Sequence, residues 1–146
     1  MVMTARTLRV EAELAELAHV RRFVREVASD ADAPGEICED LVQAVDEAAT
    51  NVITHGYEGG PGWLEISAGV EGDDIVIRLE DTAPGFDPTS RPEPDLSVPP
   101  MARKPGGMGV HLIRESTDAM TYRPRPGGGN ILTLVRSMRP GMKEEG

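Results

Sequence analysis

The sequence predicts an α/β two-layer sandwich, in which a mixed, mostly antiparallel sheet carries helices on one face. Two patterns lead to this fold class. Apolar residues recur with a helical period across residues 14–56, and with a period of two in the segments on either side. The predicted order is a strand, two helices, a strand hairpin, a long irregular segment, a helix and a closing hairpin, which suits helices packed on one side of a sheet.

The first 56 residues supply one strand and two helices. Residues 7–12 alternate apolar and polar side chains, as half-buried strands do. A helical stripe follows to about Ala28, and a second, central helix begins near Pro34, since proline followed by an acidic residue favours a first helical turn. We expect Gly56 to end this helix in the left-handed conformation. The apolar stripe of the central helix consists of Ile37, Leu41, Val45, Ala48 and Val52.

The remaining residues supply most of the sheet. Leu64 to Val70 and Ile75 to Leu79 alternate on either side of the turn 71–74, which predicts a hairpin. The other predicted elements are a helix over 108–116 and two strands, about 119–123 and 131–136, that flank the turn 124–130.

Length and composition predict a single domain over residues 1–146. Seven of the 12 prolines fall within residues 82–108, which rules out a regular helix or strand there. An irregular segment this long is usually a functional lid or a disordered insert, and both interpretations stay open. The tail 138–146 is expected to be frayed.

Charge and cysteine content narrow the function classes. The net charge of −10 disfavours direct nucleic-acid binding, which depends on cations facing phosphates. No apolar run approaches the length of a membrane span, and no signal peptide is recognisable at the N-terminus. The single cysteine, Cys38, allows no internal disulfide. A cytoplasmic protein without membrane contact is therefore expected.

Three polar residues of the central helix recur every fourth position. Glu47, Asn51 and His55 form a column beside the apolar stripe, so the first two should face a cleft at the rim of the core. An amide and a carboxylate one turn apart could hold a hydrated magnesium ion and a proton acceptor close together. The alternative is a solvated helix edge, with His55 serving only the negative end of the helix dipole.

Two further features stand where polar groups need partners. Asp81 is in phase with the apolar side of its strand, so its carboxylate points to the core and needs a donor, unless it only caps a turn. The glycine-rich stretch Gly106-Gly107-Met108-Gly109 opens a predicted helix, whose free N–H groups suit phosphates.

These three pieces resemble, in order and spacing, the N, G1 and G2 boxes of the GHKL ATPase superfamily. The motifs are DEAATNVITHGY at 46–57, DTAPGFD at 81–87 and GGMG at 106–109. The first is most similar to that of the anti-sigma-factor serine kinases, and the resemblance extends from Thr7 to Arg136. It implies the Bergerat ATP-binding fold, with ATP or ADP and Mg²⁺ as cofactors.

The resemblance also implies roles for particular residues. Glu47 corresponds to the general base and Asn51 to the magnesium ligand, while Asp81 would accept a hydrogen bond from the adenine amino group. The sequence departs from the family pattern at Ala83, which replaces a glycine, and at Pro105, which replaces a basic residue. The other implied nucleotide contacts are Gly85, Phe86, Lys104, Gly107, Met108, Gly109 and Val110.

By resemblance, the chain is an anti-sigma factor with ATP-dependent serine/threonine protein kinase activity that regulates transcription under stress. It would sequester a sigma factor of RNA polymerase and phosphorylate a STAS-type anti-sigma-factor antagonist, working as a homodimer. The alternative is a nucleotide-gated protein-binding switch without phosphoryl transfer. The presence of Glu47 argues against that alternative, whereas Ala83 and Pro105 mildly favour it.

Overall fold

The computed structural model describes residues 5–84 and 107–139, including the side chains of all of these except 107–111. Within these ranges the chain forms five strands and three α-helices. In chain order the elements are β1 (Arg6–Glu11), a 3₁₀ turn (Leu14–Glu16), α1 (Leu17–Asp30), α2 (Gly35–Asn51), a π-helical turn (Val52–Gly56), β2 (Trp63–Glu71), β3 (Asp74–Asp81), α3 (Gly107–Ser116), β4 (Ala119–Pro124) and β5 (Asn130–Ser137).

The described strands form one sheet in the order β1-β2-β3-β5-β4, and each of its four pairings is antiparallel. The predicted two-layer sandwich is therefore confirmed, as are the two hairpins. None of the described helices is long and apolar enough to cross a membrane.

The core lies between one face of this sheet and the three helices. Ile77 of β3 pairs with Leu134 of β5, and both side chains are fully buried on the helix-covered face. Leu41 and Val45 of α2 are fully buried as well. Because α2 contacts both α1 and α3, it is the middle helix of the layer. Because the hydrophobic stripe of α2 packs against the core, it determines which edge of this helix faces α3.

An ion-pair cluster fastens the N-terminal half of α2 to the sheet. The Arg136 guanidinium on β5 is buried and donates to Asp40 of α2 at 2.7 Å. It lies 3.5 Å from Asp118, which also accepts a 2.6 Å hydrogen bond from the Ser137 N–H. The buried guanidinium is thus paired with two carboxylates, one from α2 and one from the segment before β4.

The predicted end of the central helix is wrong in its geometry. Gly56 does not adopt a positive φ; positive φ values occur later, at Glu58 (53°) and Gly59 (78°). Instead, the helix widens into the π-helical turn, in which the Tyr57 N–H donates to the Val52 carbonyl at 2.8 Å. His55 lies on this turn and is exposed, whereas Asn51 is buried, so the two side chains have different surroundings.

Candidate functional site

An apolar cavity opens beside the C-terminal end of α2. It lies between α2, the end of β3, α3 and the β4–β5 hairpin, and polar side chains reach it from Asn51, Asp81, Tyr122 and Asn130. Its enclosed volume is about 30 Å³. A purine is larger than this, so the cavity is the floor of a site and not its full extent.

Asp81 is the charged residue of this floor. It ends β3 opposite Asn130 of β5, on the helix-covered face, and only 2% of its surface is exposed. The inward orientation expected from the strand period is therefore observed. Its Oδ1 accepts hydrogen bonds from the Asn130 side-chain amide and the Ala83 N–H, both at 2.9 Å. No described residue donates to Oδ2.

Burial and hydrogen bonding act in opposite directions on this carboxylate. Burial is the larger effect and raises the pKa of Asp81, whereas the hydrogen bonds from Asn130 and Ala83 lower it. The hydrogen-bond donors that an inward-facing Asp81 needs are thus supplied in part by the protein itself, from Asn130 and Ala83. Oδ1 is satisfied by two donors, and none of the residues in 5–84 and 107–139 donates to Oδ2.

Ala83 stands where the resemblance expects glycine, and its methyl group faces the π-helical turn. A Cβ added to Gly56 would lie 3.1 Å from the Ala83 Cβ, so the two backbones approach closely at this point. Gly56 therefore leaves room for the Ala83 methyl group.

Asn51 and Glu47 occupy successive turns of α2. Asn51 lines the cavity and is 9% exposed, and Glu47 is half-buried one turn earlier. Burial raises the pKa of Glu47, and the neighbouring charge of Asp46 raises it further. Asp46 itself pairs with Arg21 at 2.7 Å. Among the described residues, none donates a hydrogen bond to Glu47, so its carboxylate is a basic group without a partner.

The backbone of the glycine-rich motif is described from Gly107 onwards, and Gly106 lies outside the described residues. α3 begins at Gly107, so residues 107–110 form its first turn, where backbone N–H groups have no partner within the helix. This agrees with the predicted helix to within one residue. Gly85, Phe86 and Lys104 lie outside the described residues, as does most of the expected lid.

Three residues near the cavity were absent from the sequence prediction. Asn130 and Tyr122 come from the closing hairpin, and the Tyr122 hydroxyl donates to the side-chain oxygen Oδ1 of Asn130 at 2.8 Å. The Tyr57 hydroxyl donates to the Trp63 carbonyl at 2.7 Å and accepts from the Thr82 N–H at 2.9 Å. The strand period could have placed Asn130 on the core face, but its position after three glycines is more typical of a turn.

Comparison with known proteins identifies a matching family and several similar chains. The family described as "Histidine kinase-like ATPase domain" matches residues 10–136. The anti-sigma F factor of Clostridium acetobutylicum is 30% identical over 118 residues, which cover 80% of this chain and 81% of that protein. The anti-sigma F factor of Thermoanaerobacter sp. (strain X514) is 28% identical over 116 residues, with the same coverage.

A kinase and a solved structure are also similar. The serine/threonine-protein kinase BtrW of Bordetella bronchiseptica is 29% identical over 101 residues, covering 68% of this chain and 70% of that protein. The crystal structure of the RsbU and RsbW domains of a Mycobacterium tuberculosis protein superposes with a TM-score of 0.65 at 18% identity. The superposition covers 92% of this chain and 32% of the other, and it supports the same fold.

Proposed function

We propose a function from one premise: the chain belongs to the histidine kinase-like ATPase domain family, in the group of the anti-sigma-factor kinases. On this premise the chain binds ATP or ADP with Mg²⁺ and transfers the terminal phosphoryl group to a serine or threonine of a partner protein. The observation that carries the proposal is that the buried Asp81 carboxylate, whose Oδ2 has no donor among the described residues, lines the same cavity as Asn51.

The Asp81 end of the cavity suits an adenine ring. An ionised carboxylate can only accept hydrogen bonds, and the exocyclic amino group of adenine is a donor. The cavity beside it is lined by apolar side chains such as Leu79, Ile113 and Leu132, which can contact the ring faces. Gly85 and Phe86, which follow in the chain, are proposed to complete this part of the site.

The Asn51 end suits a hydrated magnesium ion. Mg²⁺ prefers oxygen ligands, retains several waters and is commonly shared with the phosphates of a nucleotide. Among the described residues, no group of three acidic, histidine or cysteine side chains could hold a metal. The Asn51 amide oxygen, acting together with nucleotide phosphates, is therefore the proposed protein contribution. When bound, the ion would neutralise charge on the phosphates.

Glu47 is proposed as the general base. Its carboxylate is half-buried and has no donor among the described residues, and its raised pKa makes it a better proton acceptor than an exposed glutamate. It would take the proton of the attacking serine or threonine hydroxyl as that oxygen bonds to the terminal phosphorus and ADP leaves. Arg21 holds Asp46 at 2.7 Å, which limits how strongly Asp46 acts on Glu47.

The first turn of α3 is proposed to face the phosphates. Backbone N–H groups at a helix N-terminus bind anions. The residues assigned to this role are Gly107, Met108, Gly109 and Val110, and Lys104 is assigned to the terminal phosphate.

The partners follow from the relatives named anti-sigma F factor and from BtrW, which is named a serine/threonine-protein kinase. We propose that this chain sequesters a sigma factor, phosphorylates a STAS-type antagonist and acts as a cytoplasmic homodimer. The net charge of −10 supports binding to a basic protein surface over direct binding to nucleic acid.

Phosphoryl transfer in an extract of the source organism tests the proposal. Purified protein, Mg²⁺ and γ-labelled ATP should label one small protein, and Glu47→Gln should abolish the label while leaving ATP binding intact. Label that is independent of Glu47 would refute the assignment of the base. ATP binding without any label would favour the nucleotide-gated switch, and absence of ATP binding by the unmodified protein would refute the function as a whole.

A further inference from the structure

The β4–β5 hairpin supplies an unassigned polar pair behind Asp81. Asn130, the first residue of β5, is 7% exposed and faces Asp81 across the sheet. Tyr122 of β4 is half-buried beside it, and both residues line the cavity. Burying an amide costs free energy unless its donor and acceptor atoms both form hydrogen bonds. The hydrogen-bond partners of Asn130 therefore indicate its role.

The Asn130 amide nitrogen acts on the carboxylate and on the chain that follows it. Nδ2 donates to Asp81 Oδ1 at 2.9 Å and lies 3.3 Å from the Ala83 carbonyl oxygen and 3.5 Å from that of Pro84. All three neighbours are acceptors, so an amino group belongs here. This one side chain therefore fixes the rotation of the carboxylate and the path of the chain leaving β3.

The Tyr122 hydroxyl holds the other end of the amide, since it donates to Asn130 Oδ1 at 2.8 Å. The acceptors around Nδ2 set the orientation of the amide, because in the opposite orientation Oδ1 would face the Asp81 carboxylate and the Ala83 carbonyl, which repel it. Among the described residues, Tyr122 therefore reaches Asp81 through Asn130.

The hairpin is held close enough for this contact by Gly129. Its φ is 114°, and an added Cβ would lie 2.0 Å from the Asp81 carbonyl oxygen. Only glycine can occupy this position without moving the backbone. The close approach places Asn130 against Asp81 before any ligand binds.

We propose that Asn130, held by Tyr122, is a positioning and specificity-determining residue that fixes Asp81 as a hydrogen-bond acceptor at the cavity, so that a purine with an amino group at the 6-position is selected over one with a carbonyl. The inference rests on the proposed function, because it concerns the nucleotide that the site takes. The Asn130 amide and the Ala83 N–H both donate to Oδ1 of Asp81, and no described residue donates to Oδ2.

The protonation state of Asp81 links the amide to the choice of base. A protonated carboxyl can donate to a carbonyl, so it would tolerate a 6-oxo purine, whereas the ionised form rejects it. Burial raises the pKa of Asp81, and the Asn130 hydrogen bond opposes that rise. Nearby, Arg125 lowers this pKa and Glu80 raises it; the other polar groups at the cavity are Asn51 and Tyr122. Loss of the amide therefore favours the protonated, less selective form.

The test compares the dissociation constants of ATP and inosine triphosphate, whose base differs at the 6-position, by calorimetry with Mg²⁺ between pH 5.5 and 8. The unmodified protein should prefer ATP. Asn130→Leu should weaken ATP binding by about tenfold, the size expected for losing a hydrogen bond to a charged group. It should leave inosine triphosphate within about twofold, and its loss of selectivity should begin at a higher pH than in the unmodified protein.

Tyr122→Phe and a double variant separate positioning from general loosening of the site. Tyr122→Phe should shift selectivity in the same direction by a smaller factor, and Asn130→Leu combined with Tyr122→Phe should match Asn130→Leu alone. Leu132→Val, which trims an apolar wall of the same cavity, is the control and should weaken both nucleotides equally.

Equal weakening of both nucleotides by Asn130→Leu, or unchanged selectivity, would overturn the inference. If Asn130→Leu does not fold, the selectivity of Tyr122→Phe decides the matter in the same way. Failure of the proposed function gives a different pattern, in which the unmodified protein binds neither nucleotide or Asp81→Asn changes nothing.

Discussion

Asp81 is buried and lines the cavity, whereas Glu47 is half-buried on α2 one turn before the cavity-lining Asn51, and the surroundings of these two carboxylates differ. Burial raises the pKa of both. Asp81 is restrained by the Asn130 amide and the Ala83 N–H, each at 2.9 Å. Glu47 has no donor among the described residues, and the nearby charge of Asp46 raises its pKa further.

This difference corresponds to two kinds of work. A carboxylate that recognises a base must stay ionised in one orientation, so donors that stabilise the charge are useful. A general base must give up its charge during the reaction, so such donors would work against it. Hydrogen-bond donors stabilise the charge of Asp81 at the end of β3, whereas none of the described residues donates to Glu47 on α2.

The largest effect is expected on the phosphoryl-transfer rate when Glu47 is substituted. Glu47→Gln keeps the shape of the side chain but cannot take a proton, so the phosphoryl-transfer rate should fall by roughly 10²–10⁴-fold. The dissociation constant of ATP should change by less than about twofold, because Glu47 lies outside the base-binding floor. Single-turnover transfer and calorimetry measure the two quantities, and a rate that is preserved would remove the contrast between the carboxylates.

Asp81→Asn should give the converse result, weaker binding and a more stable protein. Replacing the acceptor oxygen with an amino group should weaken ATP binding by roughly 10–100-fold, the range for a hydrogen bond involving a charged group. Excess ATP stabilises the unmodified protein by about 2.7 kcal/mol at a hundredfold excess over Kd, and this shift should largely disappear in the variant.

The stability change in Asp81→Asn follows from the sign of the pKa shift. Because the folded-state pKa of Asp81 is raised, its favourable contribution is complete below the unfolded pKa and is lost as the pH rises through the folded pKa. Ionised Asp81 therefore destabilises the nucleotide-free fold at pH 7. The variant should melt at a higher temperature at pH 7, with the difference shrinking towards pH 4; a lower Tm at pH 7 would contradict this account.

Tyr57 joins the turn after α2 to the residue that follows β3, and Gly62 makes room for its ring. A Cβ at Gly62 would lie 2.3 Å from the Tyr57 ring, which is held by hydrogen bonds to the Trp63 carbonyl and the Thr82 N–H. Gly62→Ala should destabilise the protein by about 1–3 kcal/mol through overpacking, measured by urea unfolding. Gly35→Ala is the control: nothing lies within 4 Å of its added Cβ, so it should not destabilise. Equal stabilities would show that the ring moves freely.

The smallest effect is expected from substitutions that change the pKa of Glu47. Asp46→Asn removes the charge that raises the pKa of Glu47, so the acid limb of the transfer rate should move to lower pH. Arg21→Gln frees Asp46 from its 2.7 Å ion pair and should move the limb to higher pH. Shifts of both variants in one direction would indicate a structural disturbance instead of an electrostatic one.

Sequence patterns were sufficient to predict the layer architecture and to single out the carboxylates of Asp81 and Glu47. The strand and helix periods report which face is buried, and this is a local property of the chain. The same reasoning placed Asp81 on the core face and Asn51 beside the apolar stripe. Both positions follow from the spacing within a single element.

Only the tertiary structure determined which groups meet Asp81 and where the central helix changes pitch. Asn130 is 49 residues away from Asp81, and its bond depends on the register of β3 with β5. The π-helical turn that carries the exposed His55 ends at Gly56, where the backbone approaches Ala83 from another part of the chain. Contacts between distant segments leave no periodic signal, so sequence identified the carboxylate of this site and the fold supplied its partners.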